Sequence, residues 1–247
     1  MAPLMDLPGV AEASDRAREA LGRAHRHRAN LRGWPVTAAE ASLRAARASS
    51  VLDGGPVRLD DVADAAGVSD PVFGGALRVA QALEGGGGSL VTVWQKAPLQ
   101  ALARLHALAA ADQVDDEHLG RPRAHPEIGP RLELLADLVI RPTQASAPVV
   151  AAVAHGELLT LKPFGSADGV VARAVSRLVT VATGLDPHGL GVPEVTWMRQ
   201  PAAYRDAAIQ FAAGTSDGVA TWLVLCCRAL RAGAQEAVSI AESLPPR

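Results

Sequence analysis

The sequence AHGELLTLKPFGSADGVVARAVS, residues 154–176, decides how the chain is read. Leading into its loop, apolar residues at 150, 153, 154, 158 and 161 recur at helical spacing. The pattern then breaks into a short glycine-bounded loop, Gly165–Gly169, and a helix resumes at about Val170. A loop running straight into a helix start leaves several backbone N–H groups unpaired and aimed at one point. The helix dipole adds partial positive charge there, so the corner suits an anion such as phosphate. Lys162 stands just before the loop and Arg173 one turn after it, and both cations favour the same ligand. The competing reading is a plain helix–turn–helix corner that binds nothing.

Composition sets the bounds. With 247 residues and 49% hydrophobic content, the chain can bury one sizeable core, or one core and a small N-terminal module. Scarce aromatics and abundant Ala, Leu, Val and Arg favour helix over sheet, and an all-α fold is expected. A formal net charge of −2 gives no global pull toward nucleic acid or membrane. Lys162 is one of only two lysines, the other being Lys96. Cys226 and Cys227 are adjacent in an apolar run, which suits buried thiols in a reducing cytoplasm. The N-terminus lacks an apolar leader core, and the longest apolar run, Val219–Cys227, is far too short to span a bilayer. A cytoplasmic location and no membrane partner are expected.

Residues 12–32 read as an exposed helix resting on Leu21 and Ala24, with a solvated basic cluster from Arg23 to Arg28. His25 and His27 have no Cys, Asp or Glu at metal spacing, so no metal site is assigned there. A Gly33-Trp34-Pro35 turn is expected before a helix over 37–53, capped by Thr37 with Glu40 as its box partner and stopped at Asp53-Gly54-Gly55. LDDVADAAGVS, residues 59–69, resembles the first helix and turn of a bacterial helix-turn-helix. Its second helix would run from Asp70 to Leu83 with only Arg78 as a cation and Gly74-Gly75 inside it, so DNA is not an expected partner. Gly85–Gly88 is a joint without a dinucleotide fingerprint. Leu99, Leu102, Ala103, Leu105, His106 and Ala109 place one face of a helix inward, with His106 a packed or capping histidine. Helices are further expected over 132–140, 149–161, 170–183, 204–213 and 221–232.

Lys162-Pro163-Phe164-Gly165-Ser166-Ala167-Asp168-Gly169-Val170-Val171-Ala172-Arg173 resembles a degenerate Fic motif, H-P-F-x-D/E-G-N-G-R-x-x-R. Pro163, Phe164, Gly169 and Arg173 are retained. Lys162 replaces the histidine, Ser166 the acid, Ala167 a glycine, Asp168 the asparagine and Val170 the first arginine. Upstream, Ser49-Ser50-Val51-Leu52-Asp53-Gly54 resembles the S/T-x-x-x-E-G/N of Fic proteins with an N-terminal inhibitory helix, with aspartate for glutamate. Leu119-Gly120-Arg121-Pro122-Arg123 is similar to the passage before the motif. His155 stands where a histidine is often found one helix back, and a satisfied core histidine is an equal reading. YRDAAIQFAAGTSDGVATWLVLCCRAL, residues 204–230, resembles the family's C-terminal segment.

The resemblance implies a Fic-like helical bundle, with an N-terminal helical module over 1–88 and a core over 89–247. It implies that Ser49 and Asp53 are inhibitory residues, with Asp53 paired to Arg173. Phe164, Gly165, Ser166, Ala167, Asp168, Gly169 and Arg173 would cradle a nucleotide such as ATP, with magnesium on Asp168 and Lys162 in the place of the catalytic histidine. The short, proline-bearing segment 124–130 falls where the family has a target-holding flap and makes a poor strand.

The departures weigh against efficient AMP transfer. A free lysine is neutral in only about one in 2,500 molecules at pH 7, so it is a poor base unless buried. Val170 removes a phosphate fork and Ser166 a carboxylate that hard magnesium prefers. Each such loss costs on the order of 10² to 10⁴ in rate. The expected function is a regulatory module that binds a nucleotide, a phosphate group or a protein partner, with a homodimer as a compatible assembly. The alternative is a non-standard transferase that uses Lys162 in place of the histidine.

Overall fold

The computed structural model describes residues 2–56, 70–84, 88–141 and 143–243. Among them are eleven α-helices and no strand. In chain order these are α1 (Val10–Arg26), α2 (Asn30–Leu52), α3 (Pro71–Leu83), α4 (Gly88–Lys96), α5 (Pro98–Ala110) and α6 (Ile128–Ile140). They continue with α7 (Ala147–Leu161), α8 (Asp168–Ala182), α9 (Pro193–Arg199), α10 (Pro201–Ala212) and α11 (Ser216–Ser243). The segment resembling a helix-turn-helix start, residues 59–69, lies outside the described residues, as do Gly85, Gly86 and Gly87.

The centre of the molecule is α8. Every residue from Val170 to Val181 is buried, a pattern that only a helix covered on all sides tolerates. Around it pack α7, α5, α3, α4 and α2, and one apolar cluster joins Ala46, Ala76, Leu83, Leu90, Leu105, Leu158 and Leu178. That cluster draws on residues either side of position 88. The long α11 runs beside α1, α10, α9 and α7 and carries the second cluster, with Trp222 fully buried.

The first corner differs from expectation. The break after α1 falls at residues 27–29, and α2 begins at Asn30, so Gly33-Trp34-Pro35 lies within the helix that was expected to start at 37. Asn30 makes this corner: its buried side chain donates to the carbonyl of Ala24 and accepts the hydroxyl of Thr37. Thr37 is thereby an interior brace, not a cap. Pro35 sits near the start of α2, where its ring removes one bond, to the carbonyl of Leu31. Two other expectations change as well. Leu99 is 41% exposed, the inward face of α5 being Ala101, Leu102, Leu105, His106 and Ala109. His25 is not simply solvated: its Nε2 lies 2.8 Å from a buried oxygen of Asp186, a partner far away in sequence.

Close approach shapes α3 and α5. A Cβ on Gly75 would stand 1.9 Å from the carbonyl oxygen of Ala109, so glycine is what lets the two helices touch. Gly75, one of the two glycines that counted against a recognition helix, serves packing instead.

Candidate functional site

Two backbone kinks build the corner between α7 and α8. Lys162 and Ala167, neither of them glycine, take left-handed conformations with φ of 49° and 50°. Such residues cost energy and persist where surrounding contacts over-determine them. Here the contacts are visible. Arg123 donates its backbone N–H to Pro163 (2.8 Å) and its guanidinium to the carbonyl of Lys162 (3.1 and 2.7 Å). The carboxylate of Asp168 reaches back to accept the N–H groups of Phe164 (2.9 Å) and Gly165 (2.7 Å). Burial raises the Asp168 pKa, while those two N–H groups and the charges of Arg123 and Lys162 act against the rise.

α8 has no side-chain cap of its own. Asp53, just past the end of α2, supplies one: its Oδ2 accepts the N–H of Val170 at 2.9 Å, in the first turn. Its Oδ1 lies 2.8 Å from Nη2 of Arg173. Arg173 is 1% exposed and in turn donates to Ser49, through Nε to the hydroxyl (2.8 Å) and through Nη2 to the carbonyl (2.9 Å). The two helix ends therefore clasp each other. A carboxylate from the end of α2 meets the positive start of α8, and a guanidinium from α8 meets the negative end of α2. Gly169 makes room for the clasp, since a Cβ there would stand 2.3 Å from Asp53 Oδ1.

Behind Arg173 lies an aromatic wall. Tyr204 Oη accepts from Nη1 (3.5 Å) and is 2.7 Å from His155 Nε2. His155 is fully buried among Trp197, Trp222 and Tyr204, with ring centroids 4.7, 5.0 and 5.7 Å away. Burial, and then the charge of Arg173, hold the His155 pKa well below its ordinary value. Burial works against the charge on Arg173 too, but Asp53 and Tyr204 outweigh it and the pKa lies above the ordinary guanidinium range.

The loop borders a groove of about 920 Å³. Lys162, Gly165, Ser166, Ala167, Asp168, Gly169, Arg173 and Asp53 all line it, so the corner and the end of α2 share one cavity. Its lining also includes the apolar side chains of Leu52, Leu159, Met198, Ala208 and the largely exposed Ile209. Ser49 and Phe164 stand behind this lining. Phe164 is buried and stacked on His106 at 4.1 Å, and His106 Nε2 is 3.0 Å from Ser166 Oγ. Lys162 is exposed at the rim of the loop.

Magnesium, which the resemblance implies, finds no suitable donor set. Asp53 and Asp168 are the carboxylates lining the groove, and each of their four oxygens already meets a donor of the protein.

Three contacts at the site have no counterpart in the sequence pattern: Arg123 on Lys162, Tyr204 on Arg173, and His106 on Ser166. All three act across long sequence separations, and only their place in motif-like passages marked them.

No family model and no curated protein matches the sequence. The structure is similar to that of a Fic family protein from Desulfovibrio desulfuricans G20, with a TM-score of 0.69 at 18% identity. The match covers 96% of this chain and 76% of that one. The chain thus has the all-α fold of a Fic family protein over nearly its whole length. No helix among the described residues is long and apolar enough to cross a membrane.

Proposed function

We propose that this Fic-fold chain binds a nucleotide or another phosphate-bearing ligand in the groove at the α7–α8 corner, and that it acts as a regulatory module without efficient AMP transfer. One observation carries the reading: the carboxylate of Asp53 occupies the start of α8, bonded to Val170 N–H and paired with Arg173. An anion-binding helix start is filled by the protein's own anion, and a ligand phosphate must displace it or bind beside it. Lys162, Ser166 and the loop backbone remain at the groove for such a phosphate.

The lack of efficient transfer follows from the chemistry of the motif positions. Lys162 is an exposed lysine where the resembling motif has a histidine base. Val170 supplies no guanidinium, and Ser166 no carboxylate. Incubation of the purified chain with ATP labelled at the α-phosphate tests this. Bound label that is lost on denaturation supports the proposal, and label retained on the chain or on added protein contradicts it. Retention on Lys162 as a phosphoramidate would favour the alternative, a transferase in which that side chain is the nucleophile.

A further inference from the structure

We infer that the groove recognises phosphate without a divalent cation, with the hydroxyl of Ser166, aimed by His106, as a hydrogen-bond donor to the ligand. The inference rests on the proposal that the groove takes a phosphate-bearing nucleotide.

His106 is 1% exposed on α5. Its Nδ1 accepts the backbone N–H of Gly120 at 2.9 Å. A nitrogen that accepts an N–H carries no proton, so the ring proton sits on Nε2. Nε2–H then donates to Ser166 Oγ across 3.0 Å. This polarity excludes a serine–histidine nucleophile pair, because the nitrogen facing the hydroxyl has no lone pair to take its proton. It also leaves the hydroxyl proton free of the ring. With Oγ accepting from His106, the Ser166 proton turns away from the ring, and Ser166 lines the groove. The stack of His106 on Phe164 fixes the ring plane along which Nε2–H reaches Oγ.

The charge balance of the lining points the same way. Both carboxylates serve the protein itself, Asp168 the loop and Asp53 the clasp with α8. A magnesium ion there would compete with the N–H and guanidinium donors that hold the corner in shape. By contrast, two exposed cations, Lys162 and Arg205, border the groove, and among the described residues no carboxylate forms an ion pair with either. A position read as a metal carboxylate in the resembling motif is here a neutral donor. The site therefore meets negative oxygens directly.

Calorimetric titration of the full chain with ADP, in EDTA and in magnesium chloride, tests the inference, with adenosine as the phosphate-free control. Affinity for ADP in EDTA equal to or above that in magnesium supports it; lower affinity in EDTA overturns it. Ser166→Ala should weaken ADP binding about tenfold and leave adenosine unchanged. Unchanged ADP affinity in that variant overturns the donor role. His106→Gln should weaken ADP binding in the wild-type chain and cost nothing further beside Ser166→Ala. An equal further loss in the double variant would mark His106 as a packing group and overturn its positioning role. A wild-type chain that binds neither ADP nor adenosine overturns the nucleotide reading and this inference together. Binding that depends on magnesium overturns this inference alone.

Discussion

Asp53 Oδ1 lies 2.8 Å from Arg173 Nη2, one residue just past α2 and the other inside α8. Arg173 is buried, so this carboxylate is what neutralises a charge sealed away from water. Removing one partner of a buried pair leaves the other uncompensated, at a cost of about 3 kcal/mol. Asp53→Ala should therefore lower the denaturation midpoint in urea, by an amount corresponding to roughly that loss. Asp53→Asn should lose less, since an amide oxygen still accepts the Val170 N–H.

Gly169→Ala should disturb the same clasp from the other side. Alanine ordinarily favours a helix by about 1 kcal/mol over glycine, but here its Cβ would meet both oxygens of Asp53, at 2.3 and 2.5 Å. The expected outcome is a net loss of stability in the wild-type background. With Asp53→Ala present, the same substitution should become neutral or stabilising. Urea melts of the four chains in a double-mutant cycle provide the check.

Lys162→His alone should not create AMP transfer. Ser166 still presents no carboxylate, Val170 no guanidinium, and Asp53 still fills the start of α8. Labelled AMP on the chain or on added protein should stay at background. Clear incorporation by this single variant would show that the other positions matter little.

Stability should rise with pH through the window below about 6.5, and His155 should account for part of the rise. Burial, and then Arg173, lower its pKa well below the 6.5 of a free histidine. The unfolded chain thus takes up a proton that the folded chain refuses, and the unfolded state gains as pH falls below 6.5. His106, lowered by burial against its hydrogen bond at Ser166, adds in the same sense. Burial raises Asp168 and Glu194, and both oppose it. Thermal melts of the wild-type chain and His155→Gln between about pH 5 and about pH 7.5, either side of the free histidine value, separate the contributions, and the variant should show the shallower slope.

The corner was legible because it combines two independent local signals. Helical spacing ran into Lys162, and Gly165–Gly169 marked where it stopped. The approach of α2 to α8 was legible only through the resemblance at Ser49–Gly54, since nothing local to Asp53 points to residue 173. What the sequence hid follows from tertiary override. The start of α2 is set by Asn30, whose partners Ala24 and Thr37 outweigh the turn propensity of Gly33-Trp34-Pro35. His25 finds Asp186 across 161 positions, a pairing no spacing rule can anticipate. The polarity of the His106–Ser166 bond depends on Gly120, in a loop whose backbone direction the sequence does not encode in any readable pattern.

Affinity for ADP, measured by calorimetry on the wild-type chain and on Asp53→Asn, tests most directly whether Asp53 stands in the place of a ligand anion. Removing its charge beside a bound phosphate should tighten binding about tenfold, a change of roughly 1.4 kcal/mol. Equal or weaker binding by Asp53→Asn would contradict that placement.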